Sequence, residues 1–112
     1  MPATRSNSFY EDSMDEYLGV IKNFAYPWDT RDFIACDGRL LSIQQNTALY
    51  SLLGNYFGGD YHSTFAIPDL RPLQPGATAN ADGTYDVKFR RPFINGDIVP
   101  HICTQGLYPM RD

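Results

Sequence analysis

Asp60, His62 and Ser63 stand close together and carry the three groups of a nucleophile, base and orienter set. Acyl transfer by such a set needs the hydroxyl beside the imidazole in space with a carboxylate behind it, and neighbours along a loop do not point that way. The expectation is a hydrogen-bonded loop. The carboxylate groups Asp29 with Asp32, and Asp12 with Asp15 and Glu16, would suit general acid–base work only in a cleft that separates their pKa values. Both groups read as solvated surface. Cys36, Cys103, His62 and His101 show no CxxC, HxH or HxxxH spacing, so a metal centre is not expected. The two cysteines lie in distant apolar settings and read as buried free thiols, a bridge being the alternative. Gly54, Gly58 and Gly59 neither follow a strand nor open a helix, which removes a phosphate loop. No catalytic, cofactor or metal residue is therefore expected, and the chain reads as a non-enzyme. What remains is a set of rings beside loops: Trp28 next to Tyr26, the pair Tyr56 and Phe57, and Tyr61. Rings so placed stack on sugars or plug into another protein. Trp28 and Tyr61 are expected to be exposed, whereas Tyr56 and Phe57 either join them or cap the core at a helix end.

The elements that must position these rings are those of one modest domain, since 112 residues suffice for a single core. A formal charge of −4 opposes a phosphate-binding surface, so nucleic acid is not an expected partner. No apolar run approaches the length of a membrane span, and the first residues lack the apolar region of a secretory signal, so a chain made and kept in soluble form is expected, without membrane insertion.

Tyr17 to Tyr26 is rich in strand formers and stops at Pro27, which lacks an amide hydrogen. Asp37-Gly38 lies between the apolar runs Phe33 to Cys36 and Leu40 to Ile43, and predicts a hairpin pairing 33–36 with 39–41. Ser42 followed by Gln45 has capping-box spacing and predicts a helix from Ser42. Its inner face would be Ala48, Leu49, Leu52 and Leu53, and Gly54 would stop it after about three turns. Thr64 to Ile67 reads as a strand ended by Pro68. Asp37 and Asp69 read as turn residues bonding nearby amides, with Arg71 free to pair with a carboxylate. After an irregular stretch rich in Pro, Gly, Ala and Asn, Thr84 to Arg90 alternates and predicts a half-buried strand with Tyr85, Val87 and Phe89 inward. Asp82-Gly83 and Asn95-Gly96 flank it with turn chemistry. Ile98 to Tyr108, interrupted by Pro100, would supply the last one or two strands. The expected fold class is α+β: a small antiparallel sheet with one helix packed on it.

Residues 1–16 contain Glu11, Asp12, Asp15 and Glu16 and almost no aliphatic side chain. Such a segment cannot fold on itself, and it reads as an extended arm leading into a domain at 17–112. Phe9, Tyr10 and Met14, the large apolar side chains before Tyr17, are the expected anchors on a neighbouring subunit, with the carboxylates as a charged rim.

Three motifs carry a family resemblance: Phe33-Ile-Ala-Cys-Asp-Gly-Arg-Leu-Leu-Ser running on to Gly54, then Tyr56-Phe-Gly-Gly-Asp60, then Thr64-Phe-Ala-Ile-Pro-Asp-Leu-Arg71. Ile102-Cys-Thr-Gln-Gly-Leu-Tyr-Pro109 resembles the family's closing segment. The chain is similar to the phage tail collar domain, a module also found in bacterial microcystin-dependent proteins, over residues 17–71 and about 93–112. Longer relatives carry a Gly-rich insertion after the Asp-Leu-Arg motif, and a much shorter stretch replaces it here. The resemblance implies a virion protein of the tail fibre, baseplate, neck or collar, or the matching part of a phage-derived contractile injection system. It implies localisation to the virion tail or neck after synthesis in the host cytoplasm. The partners it implies are other virion structural proteins and copies of the same chain, since members act as oligomeric, often trimeric, pieces. The short form looks like a connector or decoration subunit. The competing class is a module that binds host surface glycan through its aromatic loops, with Asn55 and Asp60 as hydrogen-bonding groups.

Overall fold

The computed structural model describes residues 16–110. The arm anchors Phe9, Tyr10 and Met14 lie outside the described residues. Within them, Glu16 is tied to the domain: its carbonyl accepts from Leu107 N at 2.8 Å, and its carboxylate pairs with Lys22.

Five short strands and one helix make up the domain: β1 Ile21–Phe24, β2 Phe33–Ala35, β3 Leu40–Ser42, α1 Thr47–Leu53, β4 Thr64–Ala66 and β5 Val99–Cys103. They form two antiparallel sheets, a three-stranded one in the order β1-β5-β2 and a pair β3-β4. β5 is central, with Ile21 opposite Ile102 and Phe24 opposite Val99 on one side, and Phe33 opposite Cys103 and Ala35 opposite His101 on the other. The α+β class expected from the sequence is the one found, divided over two small sheets.

The strand at Tyr17 to Tyr26 exists but is shorter than its propensity suggests. The hairpin at Asp37-Gly38 does not form. β2 pairs with β5 and β3 with β4, so Asp37-Gly38 is a corner where the chain leaves one sheet for the other. Residues 67–70 run alongside it: Gly38 N donates to Pro68 O, Ile67 N to Arg39 O, and Leu70 N to Cys36 O, with Asp37 bridged to Asp69. Gly38 has φ +81°, and a Cβ there would stand 2.9 Å from the Asp69 Cβ. The glycine is needed as expected, but for a close crossing of two chains instead of a two-residue turn.

Pro100 sits inside the central strand, a position that normally excludes proline. The carbonyl of Pro100 still accepts from Cys36 N at 2.9 Å, and the Cys36 carbonyl, left without the amide hydrogen that proline lacks, accepts from Leu70 N at 2.8 Å. The missing donor therefore lies where the crossing chain can replace it.

The helix starts later than the capping box suggests. Ser42 Oγ accepts from Gln45 N at 3.3 Å, but that bond closes a turn over 43–45, and the helix begins at Thr47 and runs for two turns. Gly54 ends it, its N–H bonding Tyr50 O. The inward face is Leu49, 1% exposed, flanked by Tyr50 and Leu53, and these meet Leu18, Phe65, Leu41 and Ile43. Ala48 and Leu52 lie toward solvent, contrary to the periodicity reading, because the buried arc is centred on Leu49, Leu53 and Tyr50 and leaves those two at its edge. A second cluster, Cys36, Ile67 and Ile102, fills the space beneath the larger sheet and shares Leu41 and Leu53 with the first.

Thr84 to Arg90 is not a strand. Asn80 N donates to Thr84 O and Thr84 N to Asp82 Oδ1, so the segment opens with turns and then forms a single 3-10 turn at Val87–Phe89. Val87 is 67% exposed, and the alternation had no second strand to pack against. Cys36 and Cys103 are both buried and unpaired, and burial pushes the Cys36 thiol up to about 12.

Candidate interaction surface

The loop from Pro27 to Asp32 is fixed to the domain at three points. Asp29 receives Arg39 in bidentate fashion at 2.6 and 3.0 Å and also accepts Ala35 N at 2.9 Å. Thr30 N donates to Phe33 O, so the outer edge of β2 is covered by its own preceding loop. Buried His101 places its ring nitrogens 2.9 Å from the carbonyl oxygens of Val99 and Trp28. With the Trp28 backbone held inward, its indole projects, 61% exposed, and stacks on Tyr26 at 4.7 Å and 16°. Burial pushes the Asp29 carboxyl up, and the Arg39 and Ala35 donors outweigh it to hold the group below the usual range.

The two carboxylates of this loop differ. Asp29 lies at the surface, in line with the solvated reading, but Asp32 is 4% exposed and its Oδ1 has no hydrogen-bond partner. The solvated reading of Asp32 is overturned: it directly precedes β2, and its carbonyl, which accepts Thr104 N at 2.8 Å, ties it to the residue after β5 in a buried position.

The Asp60 loop is the hydrogen-bonded turn the sequence implies. One oxygen of Asp60 accepts from His62 N and Ser63 N at 2.8 Å and from Thr64 N at 3.0 Å, while the other accepts Ser63 Oγ at 3.0 Å. This holds Tyr61 at φ +67°, a backbone region that bulky side chains seldom enter, with its ring 72% exposed. The amide donors of His62, Ser63 and Thr64 keep the Asp60 carboxyl well below the ordinary carboxylate range. A folded-state value below the unfolded one, about 3.9, means these bonds are complete above that pH and are lost as pH falls through the folded value. Following the carboxyl carbon by NMR is expected to place the Asp60 midpoint clearly below 3.9 and to show residues 62–64 losing amide protection with it. A midpoint at the ordinary value would show that the three amides do not reach the carboxylate.

Asn55 is occupied within the fold. It accepts Tyr50 Oη at 2.9 Å and donates to the carbonyls of Gly58 and Thr64 at 3.1 Å each. It is thus a clamp for the glycine loop, and its amide is not offered to a ligand as the glycan reading assumed. Tyr56 and Phe57 are both exposed, at 86% and 43%, and meet edge to face at 5.0 Å, so they do not cap the core. Tyr61 makes no ring contact among the described residues. The structure therefore sets the rings out as separate places, Tyr26 with Trp28, Tyr56 with Phe57, and Tyr61 alone.

Residues that the sequence reading gave structural roles complete one of these places. Tyr85, Val87, Asp69 and Arg90 line an open groove of about 470 Å³ with Tyr56 and Phe57. The turn chemistry at Asp82-Gly83 was the available signal, since the turn leads Tyr85 into the groove with Tyr56 and Phe57. Asp69 accepts the Arg71 amide, as expected of a turn residue, and is itself the carboxylate with which Arg71 pairs, at 2.8 Å, while Arg39 joins Asp37 at 3.0 Å in the same Asp-x-Arg geometry. No group of three His, Cys, Asp or Glu side chains that could hold a metal ion occurs among the described residues. No helix among them is long and apolar enough to cross a membrane.

The domain is thus a small α+β unit in which Asp60, Asn55 and His101 hold loops and the exposed rings of Trp28, Tyr56, Phe57 and Tyr61 stand on loops. A model of the phage tail collar domain family matches residues 19–75, just over half of the chain, and the protein belongs to that family. It is accordingly a phage tail structural protein, associated with the virion tail. No curated protein and no solved structure matches the chain.

Proposed function

We propose that the protein is a non-enzymatic connector or decoration subunit of a phage tail, at the collar, neck, baseplate or fibre, or of the tail of a phage-derived injection system. Membership of the collar family carries the reading. The engagement of Asp60, His101 and Asn55 in loop-holding bonds supports the non-enzymatic part. The subunit assembles with copies of itself and with other virion proteins, and residues 1–16 are its docking arm, anchored by Phe9, Tyr10 and Met14. β1 supports this reading, because it is an edge strand with its first three residues exposed, and such edges are templates for pairing with another chain.

Deletion of residues 1–14 is expected to leave a folded domain with an unchanged melting curve that no longer incorporates into tails, as measured by immunoblotting of purified particles. Incorporation at the normal level would place the interface on the domain and remove the arm from the proposal. Ordering a polar segment costs about 1–2 kcal/mol per residue in backbone entropy, so an arm that gained nothing from its neighbours would not dock.

A further inference from the structure

The described arginines fall into two groups. Arg39, Arg71 and Arg91 each make a close pair with a carboxylate, Asp29 and Asp37, Asp69, and Asp97 respectively, and exposed Arg31 lies 3.9 Å from Asp32. Arg90 has no carboxylate within pairing distance among the described residues. It is partly buried and lines the groove with Tyr56 and Val87, and a single side-chain bond from its Nη1 to the Arg71 carbonyl, 2.6 Å, fixes its direction. The remaining N–H donors of a guanidinium form a planar fork that matches an anionic carboxyl.

Two further features of the groove narrow the ligand. Asp69 receives three N–H donors from Arg71, two on Oδ1 and one on Oδ2, which leaves Oδ2 room to accept a hydroxyl. The rings of Tyr56, Phe57 and Tyr85 present apolar faces whose negative quadrupole attracts polarised C–H groups. The groove volume lies within the range of small-ligand sites, about 300–1,000 Å³.

We propose that this groove binds a carboxylate-bearing saccharide: the sugar carboxylate on Arg90, a ring hydroxyl on Asp69, and the C–H face of the pyranose against Tyr56 and Tyr85. A peptide carboxylate would meet Arg90 equally well, but its main chain seeks a strand edge, and none of the five strands lines the groove, Asp69 and Arg90 being single bridge residues and the rest turns or irregular backbone. The negative charge of the whole chain does not oppose the contact, because exposed charges beyond about 8 Å are screened at physiological ionic strength. The site does not depend on which part of the tail the protein occupies, nor on the docking arm.

The test is titration of the full chain, followed by NMR, with trigalacturonate, sialyllactose and a hyaluronan tetrasaccharide, against methyl-esterified trigalacturonate and an acetylated peptide with a free C-terminus. At least one acidic saccharide is expected to shift Tyr56, Tyr85 and Arg90, with the ester at least tenfold weaker than its parent if that parent is the ligand. Tyr56→Ala and Arg90→Gln are each expected to weaken binding at least fivefold with the melting temperature unchanged. Tyr56 is so exposed that its variant tests the site even if Arg90→Gln unfolds. Binding of none of the three acidic saccharides, equal binding of acid and ester, undiminished binding by Tyr56→Ala, or tighter binding of the peptide at the groove would each overturn the proposal.

Discussion

Phe65→Ala is expected to lower the unfolding free energy by about 3–5 kcal/mol, the range for removing a fully buried phenylalanine. Phe65 is 0% exposed on β4 and is the common neighbour of Leu18, Leu49 and the Tyr50 ring, the last at 5.3 Å. It therefore joins the helix, the smaller sheet and the segment leading into β1, and these contacts go together when the ring is removed. Leu52→Ala serves as the control. That side chain is 37% exposed, so it is expected to cost well below the roughly 2–5 kcal/mol of a buried leucine truncation. Urea unfolding followed by circular dichroism measures both. Equal losses for the two variants would restore the helix face that the sequence periodicity suggested and place Leu52 in the core.

That comparison locates where sequence reasoning succeeded and where it failed. Leu49 and Leu53 were legible because the 3.6-residue period puts both on the apolar arc, whereas Ala48 and Leu52 lie at one edge of that arc and the helix turns its other edge, toward Tyr50, to the core. The Ser42–Gln45 bond does form, but the same local geometry closes an isolated turn as readily as it opens a helix. Asp37-Gly38 failed for a related reason. The dipeptide reports that the backbone needs an unusual φ at Gly38, and it does not report which chain will be paired on either side. Here the partner is the Ile67 to Leu70 segment, far along the sequence, and pairing between distant segments leaves no local signature. Pro100 shows the same limit from the other direction. Proline argued for a break in the last strand, yet the break is bridged by the Leu70–Cys36 bond, which becomes visible only once three segments are placed together.

The candidate surface was legible in part for the same reasons. Trp28 and Tyr61 are exposed because their neighbours in sequence, Asp29 and Asp60, bind nearby backbone, and such local bonds can be anticipated. The groove behind Tyr56 could not be read, since its other wall was taken for a strand. Arg90, Tyr85 and Val87 became relevant only when that segment proved to be irregular backbone and a 3-10 turn facing Tyr56 and Phe57. An alternating pattern indicates a strand when a partner edge exists, and both sheets close without this segment.

Gly59→Ala is expected to prevent stable folding, or to cost about 3 kcal/mol or more, the sum of a strained backbone and forced overpacking. Gly59 has φ +121°, outside the region open to L side chains, and a Cβ there would stand 2.4 Å from Thr64 O and 2.7 Å from the Phe65 Cα. Both obstacles are backbone atoms at the head of β4, so no rotamer change relieves them. The same Thr64 carbonyl accepts from Asn55 Nδ2 at 3.1 Å, and a Cβ at Gly59 would also fall 2.6 Å from that nitrogen. The substitution therefore expels the Asn55 clamp and pushes β4, with Phe65, away from α1. Gly83→Ala is the matched comparison. Its φ of +89° imposes strain, but nothing lies within 4 Å of a Cβ there, so its cost stays within about 1–3 kcal/mol. Thermal melts of the two variants separate backbone strain from collision. A Gly59→Ala protein no less stable than Gly83→Ala would mean that Gly59 and Thr64 stand farther apart than the structure places them, and that Asn55 does not hold the loop closed.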